Sequence, residues 1–313
     1  MAGAGGAGHD LVNDAPLTRR RDARAASPTS ARHAAVTRDP SFRPSFRALG
    51  QLAYGGARVS VAVLELDSGQ PIFAVDERIV LPTASIGKIL LLVEVSARLT
   101  ERRLSDFAIV DREPRDAVAD SGIWRHLQAP AMPISDLAAL VGATSDNLAT
   151  NVLLRQIGLD AVRTRTEQLG LVRTALLDVV RDTRGPDHAP QLSVGSAAEL
   201  SWLFHALMHG QIIDRQTSDR VLGWLSLNTD LSLVASAFGR DPLSHQGVEH
   251  NTWMINKTGT DVGVRSEAGV LRGPRAGLTY ALSVQFDDRD LASRLRVLDA
   301  MRTFGLDLLE WVH

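Results

Sequence analysis

Residues 58–66 (Arg-Val-Ser-Val-Ala-Val-Leu-Glu-Leu) alternate in polarity and are rich in β-branched side chains. A period of two sends successive side chains to opposite faces of an extended chain, so this run predicts a strand. Asp67-Ser68-Gly69 then reads as a turn, and 71–75 as a returning strand. From 85 to 99 the chain is almost continuously apolar and long enough for a buried helix. Residues 104–226 read as helical segments joined by polar loops. Strand patterns return at 253–256, 264–271 and 278–286, the last two separated by the turn-rich Arg272-Gly273-Pro274-Arg275-Ala276-Gly277. Apolar residues at helical spacing over 291–311 predict one or two closing helices, and 46–54 predicts a short helix ending at Gly55-Gly56. The order strands, helices, strands, helix predicts an α+β fold. An antiparallel sheet assembled from both chain ends (about 44–80 and 230–313) is flanked by helices, with an all-α lobe inserted at about 81–229.

Composition narrows the function classes. The 313 residues carry a net charge of −2 and 44% hydrophobic residues, which describes an ordinary globular protein with no basic surplus for nucleic acid. Cysteine is absent, which removes disulfides, thiolate metal sites and cysteine nucleophiles. Residues 1–43 are rich in Ala, Gly, Arg, Ser and Pro, without periodicity. They are expected to form a flexible tail, whose four acidic residues argue against nucleic-acid or membrane-surface binding. No run approaches the roughly 18–20 apolar residues of a membrane span, and Arg19-Arg20-Arg21 is followed by a polar stretch rather than a signal core. The expectation is a cytoplasmic, monomeric protein acting on a small molecule, without membrane or nucleic-acid partners. A misassigned start codon or an export route of another type stays open.

Of the 34 basic residues only Lys88 and Lys257 are lysines. Arginine stays protonated in proteins, whereas a buried lysine can lose its proton, so lysines retained in so arginine-rich a chain suggest work that arginine cannot do. Lys88 lies in Ser85-Ile86-Gly87-Lys88. A spacing of three on a helix stacks Ser and Lys on one face, and a lysine desolvated by the apolar run can serve as base to a serine nucleophile. Ser145-Asp146-Asn147 offers a second hydroxyl to relay a proton and a carboxamide to hold a substrate amide. Lys257-Thr258-Gly259-Thr260 offers a landing site for a substrate carboxylate, with Gly259 admitting close backbone approach and the Thr260 and Ser85 N–H groups pairing as an oxyanion hole. Each segment also reads as ordinary structure: a capped helix with a solvated lysine, a helix cap, and a strand end with a turn.

Taken together, in this order, the three motifs carry a resemblance to class A β-lactamases and the related penicillin-binding proteins. It extends from about residue 57 to the C-terminus and includes Leu81-Pro82-Thr83-Ala84, Asn151-Val152-Leu153-Leu154 and the sixty-residue step from Ser85 to Ser145 (145 − 85). The resemblance implies Ser85 as the acylated nucleophile and Lys88 as its proton partner. Ser145 passes a proton to the leaving nitrogen, Asp146 is structural, and Asn147 contacts Lys88 and the acyl side chain. Lys257, Thr258 and Thr260 hold the substrate carboxylate, Arg265 supplies an auxiliary cation, and Trp124 stands as an aromatic gatepost or is buried as a structural residue. No cofactor or metal is implied. The nine histidines contain no His-Glu-x-x-His pattern, and His205 and His209 read as an exposed helix face.

One family feature is missing. Class A enzymes carry a Glu on an omega loop that activates the deacylating water, yet no glutamate occurs between Glu167 and Glu199. Asp178 and Asp182 are candidate substitutes, with Asp187-His188 as another. The expected function is a serine hydrolase opening β-lactam rings through an acyl-enzyme, with slow release. A cytosolic esterase or amidase of the same fold and a non-hydrolysing penicillin-binding sensor are the alternatives.

Overall fold

In the computed structural model the described residues are 41–313, so the tail expected over 1–43 falls outside them except for its last three positions. Phe42 is already buried, its ring stacked 4.8 Å from that of Phe73 and close to Phe304 and Trp311. Helix α1 (Arg43–Tyr54) follows, with a proline in its first turn, where a missing N–H costs nothing.

The chain then runs β1 (Arg58–Glu65), β2 (Pro71–Val75) and β3 (Leu81–Pro82) into a single 3₁₀ turn, Ala84–Gly87, and helix α2 (Lys88–Thr100). The inserted segment holds β4 (Ile109–Asp111), β5 (Ala131–Pro133), α3 (Ile134–Thr144), α4 (Asn147–Ile157) and α5 (Leu159–Gln168). It continues through β6 (Ala175–Leu176), β7 (Ser193–Gly195), α6 (Ala197–Met208) and α7 (Arg215–Leu225). The return consists of β8 (Trp253–Asp261), β9 (Val264–Arg272), β10 (Gly277–Gln285) and α8 (Leu291–Val312), which starts at an Asp290 cap. The main sheet is antiparallel in the order β2-β1-β10-β9-β8, so strands from both chain ends form it, as the hydrophobic pattern predicts.

The period of two in β1 divides two cores. Val59, Val61 and Val63 point into a layer with α1 and α8, whereas Ala62 faces the helical side. β10 divides likewise, with Leu278, Tyr280, Leu282 and Val284 on the α8 side and Ala281 opposite. Helix α2 is buried on every side from Lys88 to Ala97, as a helix apolar all round must be. It is enclosed by α3, α4, α5 and α7, while α6 bridges that lobe to β1, β9 and β10.

Two differences from the sequence expectation bear on the site. The helix expected from 85 is interrupted, because Ala84 takes a left-handed φ of 47° and Ser85 lies in the tight turn before α2. The strand expected over 253–256 continues through Lys257-Thr258-Gly259-Thr260 to Asp261, paired residue for residue from Trp253↔Arg272 to Asp261↔Val264. Ladder hydrogen bonds impose the extended form on a Gly-Thr segment whose own pattern does not predict it.

Candidate active site

Ser85 is presented by a turn that its neighbours hold from both sides. Ser193 of β7 donates its hydroxyl to Ala84 O at 2.6 Å and lies 2.8 Å from Thr83 Oγ1, and Thr83 N–H donates to Ser193 O at 3.1 Å. Gly87 leaves room for this strand: a Cβ there would sit 2.3 Å from Ser193 Cβ. On the other side Gly259 of β8 abuts the same turn, where a Cβ would lie 2.1 Å from Thr83 O and 3.2 Å from Ile86 N. The close approach that Gly259 permits is therefore to the turn that carries Ser85. It brings the edge of β8, with Thr260 next in line, alongside Ser85.

Lys88 begins α2 and is fully buried. Its Nζ is hydrogen-bonded to Ser145 O (2.6 Å), Ser145 Oγ (3.2 Å) and Asn147 Oδ1 (2.6 Å); Ser85 Oγ is not among these partners. Burial, and then the neighbouring Lys257, lower its pKa well below that of an ordinary lysine, while Asp146 opposes the shift. Lys257 is also fully buried and donates to Ser145 Oγ (3.1 Å) and Thr258 O (2.8 Å). Burial lowers its pKa to about 8, against the pull of Asp230 and Glu267.

The two lysines thus meet on one hydroxyl. Ser145 ends α3 in a left-handed conformation (φ 53°), which turns its side chain between α2 and β8. Both acceptor positions of its oxygen are taken by lysine N–H groups, so its own proton is free to point at a third group. Asp146 is structural, as expected. It caps α4 through Ala149 N–H at 2.9 Å and accepts Ile123 and Trp124 N–H at 2.8 and 2.9 Å. Asn147 gives its oxygen to Lys88 and its NH₂ to Ala119 O at 3.0 Å, an orientation that the acceptor-only carbonyl of Ala119 requires.

Other expected site residues lie apart. Trp124 is 0% exposed and donates Nε1–H to Ala129 O, so it is a structural residue that no substrate can touch. Arg265 pairs with Thr260 in register, but Asp261 O, Val264 O, Asp288 and the Phe286 ring hold its guanidinium. Asp178 is bound by Arg181 (2.8 Å) and Arg184 (2.7 Å). Burial would raise its carboxyl, yet the hydrogen bonds from Arg181, Val179 N–H and Arg184 hold it below the ordinary range. Asp182 accepts Ala119 N–H at 2.7 Å and lines a cavity with Asn151, Arg155 and His188 that does not include Ser85. Neither aspartate is placed as a free base. His205 and His209 stack at 4.3 Å at the C-terminal end of α6, with His209 exposed and the His205 ring partly buried against Gly69.

Four residues that no motif revealed complete the surroundings. Beside Ser193, the sequence held no sign of Asp230, Asn256 and Glu267 behind β8. Thr258 Oγ1 donates to Asp230 Oδ2 at 2.6 Å, Asn228 donates to Asn256 Oδ1 at 2.7 Å, and Asn256 donates to Glu267 Oε1 at 2.9 Å. Glu267 is fully buried and also accepts Val234 N–H and Tyr280 O–H, both at 2.7 Å. Burial pushes its pKa up to about 7, against these hydrogen bonds.

No curated protein sequence matches the chain. Among solved structures it is similar to a β-lactamase from Sphaerobacter thermophilus, with a TM-score of 0.73 and 20% identity over 85% of this chain and 96% of that one. It is also similar to PBP-A (TM-score 0.70, 19% identity, 85% and 96% covered). A β-lactamase from Xanthomonas campestris gives a TM-score of 0.70 at 18% identity, covering 85% and 97%. These likenesses establish the fold. The family model described as the β-lactamase enzyme family matches residues 42–312, which takes in the whole of the turn, helices and strands that carry Ser85, Ser145 and Lys257, and the chain belongs to that family.

Proposed function

We propose that this chain is a serine hydrolase that opens β-lactam rings through an acyl-enzyme on Ser85 and releases the product slowly. The observation that carries the reading is the shared Ser145 hydroxyl, held by Lys88 and Lys257 at 3.2 and 3.1 Å. Ser85 Oγ attacks the carbonyl carbon, and its proton passes to the neutral amine of Lys88, whose lowered pKa suits it to that task. The Ser85 and Thr260 N–H groups receive the oxyanion, and the C–N bond breaks as Ser145 gives its proton to the departing nitrogen. Lys88 then restores the Ser145 proton. PBP-A, one of the similar folds, is known as an acyl-enzyme with penicillin-G in a variant form.

Hydrolysis of the ester needs a base for water. Asp178 is neutralised by two arginines, and no glutamate lies on the surrounding loop. This same observation favours a second reading, an esterase or amidase whose natural acyl group leaves without that base. Intact-protein mass spectrometry after mixing with a chromogenic cephalosporin tests the proposal, with Ser85→Ala as control. A persistent adduct on wild type and none on the variant is expected. Absence of any adduct at high ligand concentration overturns the β-lactam reading, and turnover of short acyl esters under the same conditions would put the second in its place.

A further inference from the structure

The edge of β8 that the motif assigns to a substrate carboxylate already contains a carboxylate of the protein. Asp230 lies on the segment after α7. Its Oδ2 accepts the Thr258 hydroxyl at 2.6 Å, and its Oδ1 accepts both the hydroxyl and the N–H of Ser232, at 2.6 and 3.1 Å. Its main-chain oxygen is held by Asn228 (3.1 Å) and Asn256 (3.3 Å) and its N–H donates to Asn228 Oδ1 (3.4 Å), so the residue is fixed by six hydrogen bonds. A threonine hydroxyl has one proton, and that of Thr258 is committed to Asp230. Towards a ligand it therefore offers lone pairs, which attract N–H and O–H donors and repel carboxylate oxygens.

The charge balance points the same way. Lys257 is the cation next to Thr258, and the charges of Asp230 and Glu267 both act on it. Arg265 is held by Asp288 and two main-chain oxygens. A substrate carboxylate that accepted from Thr258 would sit beside the Asp230 carboxylate, two negative charges at short range and partly out of water.

We propose that Asp230 makes the Lys257–Thr258 subsite select against anions, so that the preferred substrates are acyl compounds (esters, amides or lactams) that bear no free carboxylate at that end. This rests on the acyl-enzyme reading of Ser85 and names its substrate class. Penicillins carry a carboxylate beside the ring nitrogen, and esterification removes its charge while leaving the reactive amide unchanged.

Penicillin-G and its methyl ester are therefore the probes. Acylation rate constants are read by intact-protein mass on wild type and Asp230→Asn, and equilibrium binding of the same pair is read on Ser85→Ala, where no adduct forms. Wild type is expected to favour the ester by roughly tenfold or more, equivalent to about 1.4 kcal/mol. Asp230→Asn is expected to shift the ratio at least as far towards the acid. Equal rates on wild type, or a preference for the acid, overturn the proposal, and the wild-type ratio alone decides if the variant does not fold. An unchanged ratio in folded Asp230→Asn also overturns it. If neither compound acylates wild type while Ser85→Ala still binds the ester more tightly, the acyl-enzyme reading fails and the role of Asp230 stands. If Ser85→Ala shows no preference in that case, both fail.

Discussion

Adding one methyl group to Gly259 tests how Ser85 is positioned. A Cβ at this site would lie 2.1 Å from Thr83 O, 3.1 Å from Ile86 Cγ1 and 3.2 Å from Ile86 N. Carbon and carbonyl oxygen ordinarily approach to about 3.3 Å, so strand and turn must separate by about 1 Å. Neither partner yields easily. β8 is locked to β9 over its whole length, and the turn contains Ala84 in a left-handed conformation pinned by Ser193. Overpacking of this kind costs about 1–3 kcal/mol, and a displacement of about 1 Å at a reacting group costs on the order of 10²-fold in rate. Gly259→Ala is expected to lower Tm by several degrees and to slow acylation of Ser85 by about two orders of magnitude, measured by calorimetry and time-resolved mass spectrometry. Gly223→Ala is the control, because that glycine is exposed on α7 with nothing within 4 Å of the added carbon. It should be neutral or stabilising by up to about 1 kcal/mol. Wild-type acylation and Tm in Gly259→Ala would refute the claim that contact between β8 and the turn positions Ser85.

Ser193→Ala removes the hydroxyl that holds Ala84 O and Thr83 Oγ1; a loss of about 1–3 kcal/mol in urea unfolding together with slower acylation is expected, and unfolding without any change in rate would argue against a positioning role. In the proposed mechanism Lys88 acts as the neutral amine, and its pKa is lowered, so acylation should rise with pH along a limb well below the ordinary lysine range; a rate independent of pH there would contradict Lys88 as base. Glu267 has its pKa raised from 4.5 to about 7, so its contribution to stability is present below the lower value and lost as pH rises through the upper one. Glu267→Gln should remove that slope and also leave the Val234 N–H, now 2.7 Å from Oε2, facing a donor, at a cost of about 1–3 kcal/mol; an unchanged pH profile of unfolding would count against it. Asp178→Asn should lower Tm by loosening Arg181 and Arg184 yet leave release of the acyl group unaltered, and slower release would reinstate Asp178 as the base.

Much of the molecule was legible because its signals are local. The alternating run of β1 predicted a strand facing two layers, and both cores form on its two sides. The apolar run after Ser85 predicted a buried helix, and α2 is buried on every side. The interruption at Ala84 was not legible, since an alanine with positive φ has no composition signature; the turn is held there by Ser193, more than a hundred residues away along the chain. The extension of β8 through a glycine and two threonines was hidden for a similar reason, because its ladder partner supplies the order.

The sequence by itself determined which groups are candidates for the chemistry: a serine and a lysine three residues apart, a second serine, and a second lysine beside two hydroxyls, in an arginine-rich chain where a lysine is an exception. Residue type and spacing are properties of the chain. What those groups are able to do was decided by the tertiary structure. Only the fold buries both lysines against one hydroxyl and lowers their pKa values, removes Trp124 from the site, ties Asp178 to two arginines and sets Asp230 against Thr258. Burial, hydrogen-bond partners and neighbouring charge set proton affinity, and all three come from residues far apart in sequence that meet only when the sheet and the helical lobe close on each other.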